Sequence, residues 1–258
     1  MQFFKLSDAI GVGDTKNDQY RPLGQFFPCI LVGGTGAGKT TLKTRLLKKY
    51  RFYPLPGRRT LTDRIILPLM QQNDGTHGPV NDRNQRFAYT KGFRDIHPGG
   101  MGYVLSRIKI KDANLSTPIL FDGLRGIDEI KYASRAILSA FFIVLTALDH
   151  VRIKRLMSRQ DPFDKIKGNI TESDMAEFKK IYSSCQQKTL FEYAKKTGLS
   201  EATLYEKATI ITKERNNYDH EAASRFLVGT VPDRTIIIDS SKLSPQQIVT
   251  VVEMRLQN

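Results

Sequence analysis

Cysteine and histidine are scarce in this sequence, which limits the disulfide and metal chemistry open to it. Its 258 residues include two cysteines, Cys29 and Cys185, and four histidines. The cysteines have neither disulfide nor metal-ligand spacing, and the histidines lie far apart in sequence without a recognisable ligand motif. The composition argues against a disulfide framework and a cysteine- or histidine-rich metal site, and it predicts a cytoplasmic protein.

Long apolar runs are also missing. The longest, residues 136–148, is interrupted by Ser139 and Thr146 and is too short to cross a bilayer. Residues 1–13 lack the basic start and long apolar middle of a signal peptide. We therefore expect no membrane partner.

Acidic residues are few relative to basic ones. The chain has 26 Asp and Glu against 40 Lys and Arg, a formal net charge of +14. Such a surface attracts polyanions, which include nucleic acid, phosphorylated metabolites and acidic lipid headgroups. Charge alone does not choose among these partners.

A glycine-rich segment carries the strongest functional signal. Residues 33–40, GGTGAGKT, fit the pattern G-x-x-x-x-G-K-[ST] between an apolar strand at 26–32 and a leucine-spaced helix at 40–50. Glycines let successive backbone N–H groups point at one anion, and the helix N-terminus adds positive charge. The segment therefore predicts a nucleoside triphosphate site.

The roles within this segment follow from its chemistry. Lys39 is predicted to reach the β- and γ-phosphates of ATP, and the Thr40 hydroxyl to bind Mg²⁺. The residues predicted to contact the nucleotide are Gly33, Gly34, Thr35, Gly36, Ala37, Gly38, Lys39, Thr40 and Thr41.

Apolar strands alternate with helical segments along the rest of the chain. Strands are predicted at 118–122, 141–145 and 235–239, and helices at 128–138, 149–159 and 244–256, with further basic helices over 171–228. Strands that are apolar on both faces indicate a parallel sheet covered by helices on both sides. The predicted fold is of three-layer α/β/α class, with a parallel sheet beside the glycine-rich loop.

The predicted domain organisation has two parts. Residues 1–25 are expected to form an N-terminal extension on the surface, and residues 26–258 the nucleotide-binding domain. Residues 71–101 are rich in turn-forming residues and too long for an ordinary loop, so we expect them to be functional or mobile.

Asp122 ends a buried strand and is a second candidate site residue. In proteins with this kind of phosphate loop, an acid on the neighbouring strand holds Mg²⁺ directly or through water. Many motor- and helicase-type ATPases place a glutamate next to orient water, whereas here Gly123, Leu124 and Arg125 follow. The absence of that glutamate, and of guanine-binding motifs, favours transfer to a second molecule, with Arg125 placed to bind another phosphate.

Three further segments make the chain resemble a known superfamily. ILFDGLRGIDEIKYA, VLTALDHVRIKRLMSRQDPFD and RTIIIDSSKLSPQQIVTVVEMRL, with the phosphate loop, are similar to the P-loop small-molecule kinases, the superfamily of nucleoside monophosphate and dephospho-coenzyme A kinases. The likeness covers less than half of the chain. It implies a P-loop NTPase fold of three-layer α/β/α class, with a helical, arginine-bearing lid within 149–230 and acceptor-binding insertions within 51–115.

Three lid arginines are spaced along one predicted helix face, at Arg152, Arg155 and Arg159. Arg155 and Arg159 are candidates for stabilising the charge that develops during phosphoryl transfer. A solvated basic helix is the alternative interpretation.

The acceptor side is predicted to lie after a second strand, where RRTLTDR contains three arginines and an aspartate. Arg58, Arg59 and Arg64 could grip an acceptor phosphate, and Asp63 could accept a hydroxyl proton as a general base. An exposed loop explains the same residues equally well.

The sequence thus predicts an enzyme that transfers a phosphoryl group from ATP, with Mg²⁺, to a small phosphorylated or nucleotide-like acceptor. The alternative is a nucleic-acid enzyme, either a polynucleotide-end kinase or a nucleic-acid-stimulated ATPase, which the net charge supports. Few aromatic residues are interleaved with the basic ones, which weakens this alternative. A non-catalytic nucleotide-binding regulator is a third hypothesis. The acceptor, the purine preference and the oligomeric state do not follow from the sequence.

Overall fold

The structure is a computed structural model that describes residues 1–80, 83–111, 117–159 and 170–257. Its strands are β1 (Phe4–Lys5), β2 (Ile10–Val12), β3 (Arg21–Pro22), β4 (Pro28–Val32), β5 (Tyr53–Pro54), β6 (Ile108–Ile110), β7 (Ile119–Leu124), β8 (Phe141–Thr146) and β9 (Thr235–Asp239). Its α-helices are α1 (Lys39–Lys49), α2 (Arg58–Leu61), α3 (Leu67–Asp74), α4 (Arg83–Ile96), α5 (Gly100–Ser106), α6 (Ile127–Ala136), α7 (Asp149–Met157), α8 (Glu172–Ile181), α9 (Ser184–Lys196), α10 (Glu201–Asn217), α11 (His220–Thr230) and α12 (Pro245–Gln257).

Five parallel strands form the central sheet, in the order β5-β7-β4-β8-β9. Strand β4, which leads into the glycine-rich loop, lies between β7 and β8 and is fully buried. Leu31 of β4 is in register with Asp122 of β7. The register therefore places the predicted metal-binding aspartate beside the strand end from which the loop departs.

Helices cover both faces of this sheet. Residues on one face of β4, including Ile30, pack with α5, α6 and α11, while those on the other face, including Leu31, pack with α1 and α12. The alternation of side chains along a strand divides the core into these two layers. The predicted three-layer α/β class with a parallel sheet is confirmed.

The structure contains a second, antiparallel sheet that the sequence did not predict. Residues 1–25 supply β1, β2 and β3, which join β6 in the order β1-β2-β6-β3. Leu6, Ile10, Val12 and Leu23 are buried in the same core cluster as the parallel strands. The segment expected to be a surface extension is thus packed into the domain.

Residues 71–101 also differ from the expected turn-rich segment, because the described part is mostly helical. Helices α3, α4 and α5 run through it, and Gly75 in the left-handed region (φ +71°) ends α3. Gly102 sits so close to α6 that a Cβ there would lie 2.1 Å from the carbonyl oxygen of Glu129. Gly102 therefore allows α5 and α6 to pack closely.

A helical subdomain follows β8, where a helical lid was predicted. Helices α7 to α10 bury an apolar cluster of their own that includes Ile153, Phe178, Leu190 and Ile211. The part of the predicted lid at 160–169 lies outside the described residues. None of the described helices is long and apolar enough to cross a membrane.

Candidate phosphate-transfer site

The glycine-rich loop joins β4 to α1 in the strand–loop–helix arrangement predicted from the motif. Gly36 and Gly38 have φ angles of +79° and +97°, and Gly38 is the N-cap of α1. Only glycine adopts such angles at low cost, so these two positions give the loop its curled path. Thr40 and Thr41 are exposed in the first turn of α1.

Lys39 turns back over its own loop. Its Nζ donates hydrogen bonds to the carbonyl oxygens of Gly33 at 2.7 Å and Gly34 at 2.9 Å. Burial lowers the pKa of Lys39 to about 8; the charge of Asp122 opposes this shift, and that of Arg125 reinforces it. The three side chains therefore lie close enough to interact electrostatically, as the phosphate site requires.

The predicted Mg²⁺ ligands suit that ion in their chemistry. Mg²⁺ prefers oxygen ligands and is held by one or two protein groups together with substrate phosphates and water. Thr40 and Asp122 supply one hydroxyl and one carboxylate, and the described residues contain no group of three or more His, Cys, Asp or Glu that could bind a metal alone. The donor set fits a cation that arrives with a nucleotide.

Arg58, predicted to bind the acceptor, is engaged inside the protein. Its Nη2 donates to Oε1 of Glu129 at 2.7 Å, and its Nη1 contacts Oε2 at 2.6 Å and the Gly123 carbonyl oxygen at 2.8 Å. The Glu129 carboxylate also accepts the Arg125 N–H at 3.1 Å. Arg58 and Glu129 thus fix the backbone that follows Asp122.

We expect Arg58→Met to destabilise the protein by about 3–5 kcal/mol, because it leaves the buried Glu129 carboxylate without its counter-ion. Urea unfolding measures this loss. The matched control is Arg59→Met, since the side chain of Arg59 is largely exposed and surface changes usually fall within about 0.5 kcal/mol. If Arg58→Met were as stable as the control, the buried Glu129 carboxylate would not need Arg58 as its counter-ion.

The other predicted acceptor residues lie apart from this pair. Arg64 donates to the carbonyl oxygens of Leu6 at 2.7 Å and Lys5 at 3.2 Å, so it anchors the N-terminal strands. Asp63 forms an ion pair with Arg86 of α4. The structure therefore does not bring Arg58, Asp63 and Arg64 together around one substrate position.

The lid arginines are placed differently from one another. Arg159 was predicted to lie on the same helix as the other two. Helix α7 ends at Met157, so Arg159 lies past the end of the helix, and it is exposed. Arg155 donates to the Gly36 carbonyl oxygen at 3.1 Å and to the Ser240 hydroxyl at 2.9 Å. Arg152 is buried and donates through Nε to the Thr35 carbonyl oxygen at 2.8 Å. Two of the three arginines therefore contact the phosphate loop directly.

Sequence reasoning missed two residues at the loop, Glu214 at the end of α10 and His220 at the start of α11. The carboxylate of Glu214 accepts hydrogen bonds from the Thr35 backbone N–H and hydroxyl. The two partners are 179 residues apart in sequence. No local pattern marks such a contact, because it depends on how the helical subdomain docks.

Comparison with known proteins finds similarity to solved structures of kinases, at low sequence identity. No protein-family model and no curated protein matches the chain. A sugar kinase from Janibacter sp. is 14% identical, with 90% of this chain and 95% of that chain covered and a TM-score of 0.40. A gluconokinase from Sinorhizobium meliloti is 12% identical, with 90% and 93% covered and a TM-score of 0.39. A deoxyadenosine kinase from M. mycoides with bound dATP is 12% identical, with 90% and 100% covered and a TM-score of 0.40.

All three of these solved structures are kinases. The fold assignment rests on the strand order of the parallel sheet and on the helical layers that cover both of its faces.

Proposed function

We propose that this protein transfers a phosphoryl group from ATP, with Mg²⁺, to a small phosphorylated or nucleotide-like acceptor. The observation that carries this proposal is the position of Lys39 in a curled glycine-rich loop, beside Asp122 on the neighbouring parallel strand. The same arrangement of loop, lysine and an acid on the neighbouring strand serves phosphoryl transfer in P-loop enzymes.

The chain's own groups would act through position and charge. The loop N–H groups and the Lys39 ammonium would hold the β- and γ-phosphates and stabilise the negative charge that spreads over the transferred group. Mg²⁺, held by Thr40 and Asp122 when bound with ATP, would neutralise charge on the phosphate oxygens. Arg125 would face the second phosphate-bearing molecule.

The residue after Asp122 supports transfer over hydrolysis. A Cβ at Gly123 would lie 2.9 Å from the Cβ of Arg58 and 2.7 Å from the ring of Phe121. This position has no room for a glutamate that would orient water. An acceptor molecule is therefore the better candidate for the attacking group.

An acceptor screen tests the proposal. The protein is incubated with Mg²⁺, γ-labelled ATP and, separately, nucleoside monophosphates, dephospho-coenzyme A and oligonucleotide ends. We expect label on a small acceptor. Label on oligonucleotide ends alone would favour the nucleic-acid alternative, which rests on the +14 charge. Binding of ATP with no transfer and no hydrolysis would favour a regulator.

We expect Arg155→Ala to lower kcat by up to about 10²-fold while ATP affinity changes little, because a small displacement of reacting groups costs about this much. Arg155 holds Gly36 in the loop to Ser240 after β9, so its loss shifts the loop without removing a phosphate contact. Steady-state kinetics and a separate ATP-binding measurement check this.

Arg159→Ala is the companion variant, because Arg159 is the other candidate lid arginine and is exposed beyond the end of the same helix. A larger loss for Arg159 than for Arg155 would show that the lid closes over the site with Arg159 as its phosphate contact. Equal loss of affinity and rate for Arg155 would mean ordinary phosphate anchoring.

A further inference from the structure

The side chain of Glu214 accepts hydrogen bonds from donor groups of the glycine-rich loop. The Glu214 carboxylate accepts the Thr35 backbone N–H, at 3.0 Å to Oε1 and 2.8 Å to Oε2, and its Oε1 accepts the Thr35 hydroxyl at 2.7 Å. The loop uses such N–H groups to bind phosphate oxygens. Glu214 thus occupies the N–H and hydroxyl donors of Thr35 as a bound anion would.

Arg152 completes this contact. Its Nη2 donates to Glu214 Oε2, its Nε to the Thr35 carbonyl oxygen, and its Nη1 to Asp149 at 3.1 Å. Burial raises the pKa of the Glu214 carboxyl, but Arg152 and the Thr35 donors outweigh burial and hold the pKa below its ordinary value. The group at the loop is therefore a charged carboxylate.

The loop itself is shaped for this close approach. A Cβ at Gly34 would lie 2.3 Å from Nη2 of Arg152 and 3.0 Å from Oε2 of Glu214. Any side chain at Gly34 would push the pair away. The contact is therefore a packed arrangement of backbone, arginine and carboxylate, not a chance surface ion pair.

The buried imidazole of His220 destabilises this arrangement. Among the residues that the structure describes, neither ring nitrogen of His220 has a hydrogen-bond partner, and both nitrogens are buried. Its Nε2 lies 3.9 Å from Glu214 Oε2. Burial lowers the pKa of His220 to about 4; the charge of Glu214 opposes this shift, and Arg152, Lys39 and Arg125 reinforce it. An imidazole with unmet hydrogen bonds opposes the closed state, because it regains water when the segment moves out.

We propose that Glu214 is an internal anion that closes the phosphate loop, and that the terminal phosphate of a nucleoside triphosphate displaces it by moving the segment 214–220. This inference rests on the proposed function, since it takes the loop to be the triphosphate site. Glu214 favours the closed state, and His220 favours the open one. The apparent Kd for nucleotide is the Kd of the open state divided by the fraction of protein that is open, so it rises as the closed state gains population.

Substitutions at the two residues should change affinity in opposite directions. Glu214→Gln keeps the shape and an acceptor but removes the charge, so we expect ATP to bind about five- to tenfold more tightly. His220→Leu removes the buried unpaired nitrogens and stabilises the closed state, so we expect binding to weaken by about tenfold. The matched control is Glu221→Gln, the same charge change at a side chain that is 79% exposed on α11.

Calorimetric titration with Mg²⁺ and a non-hydrolysable ATP analogue measures these affinities. Hydrogen exchange of the Thr35 amide in nucleotide-free protein measures the contact between Glu214 and the loop independently of nucleotide binding. Tighter binding by Glu214→Gln, weaker binding by His220→Leu, an unchanged control and faster Thr35 amide exchange in Glu214→Gln support the proposal. Equal or weaker binding by Glu214→Gln, or no change with His220→Leu, overturns it while leaving the proposed function standing. Absence of binding by all four proteins overturns the proposed function, and the inference with it.

Discussion

Lys39→Ala is expected to abolish detectable phosphoryl transfer, with a loss of at least roughly 10²–10³ in rate, because one pre-positioned charge-stabilising donor is worth that much. The ammonium group of Lys39 already lies at the loop, 2.7 Å from the Gly33 carbonyl oxygen. Alanine leaves the helix α1 intact, since it is the best helix former. A label-transfer assay with the acceptor found in the screen measures the loss.

The matched control for Lys39→Ala is Lys48→Ala, an exposed lysine in the last turn of the same helix. This variant should retain the wild-type rate and show that general loss of positive charge is not the cause. Transfer by Lys39→Ala at the wild-type rate would contradict the assignment of the loop. Circular dichroism checks that both variants are folded.

Asp122→Asn is expected to retain much of the ATP affinity and to lose roughly 10³ in rate, since metal-ion charge stabilisation is worth several kcal/mol. The amide keeps the shape of the side chain but not the charge that attracts Mg²⁺. Asp122 lies in β7 in register with Leu31, so the substitution leaves the backbone pairing unchanged. In an Mg²⁺ titration, the variant should need a higher Mg²⁺ concentration than the wild type to reach half of its maximal rate.

Asp128→Asn serves as the control for Asp122→Asn. Asp128 is exposed in the first turn of α6, six residues further along the chain. Its loss should leave both the rate and the Mg²⁺ dependence unchanged. A normal rate with normal metal dependence in Asp122→Asn would show that this aspartate does not take part in binding Mg²⁺.

The sequence predicted the parallel sheet and the strand–loop–helix path of the glycine-rich segment because both depend on local patterns. Strand β4 is apolar along its whole length, and the glycine motif follows it directly, so residue type and spacing were sufficient. Helix α7 was predicted two residues too long, since the periodicity of Arg152, Arg155 and Arg159 continues past its end at Met157.

The second sheet could not be predicted in this way. Strands β1 and β3 have two residues each, too few to show a period. Strand β6 pairs with both β2 and β3, although its partners there, from Ile10 to Pro22, come long before Ile108–Ile110 in the sequence. The same limit applies to the acceptor side: no sequence spacing connects Arg58 with Glu129, a pair joined only when α6 packs beside β7.

The central claim is that the attacking group is an acceptor and not water, and partition of the labelled γ-phosphate tests it most directly. Wild-type protein is given γ-labelled ATP and Mg²⁺, first alone and then with the acceptor identified in the screen, and free phosphate and labelled acceptor are counted together. We predict slow release of phosphate without acceptor, because Gly123 leaves no room for a water-orienting glutamate, and nearly all of the label on the acceptor when it is present. Fast release of free phosphate without acceptor, unchanged when acceptor is added, would contradict the account and leave an ATPase.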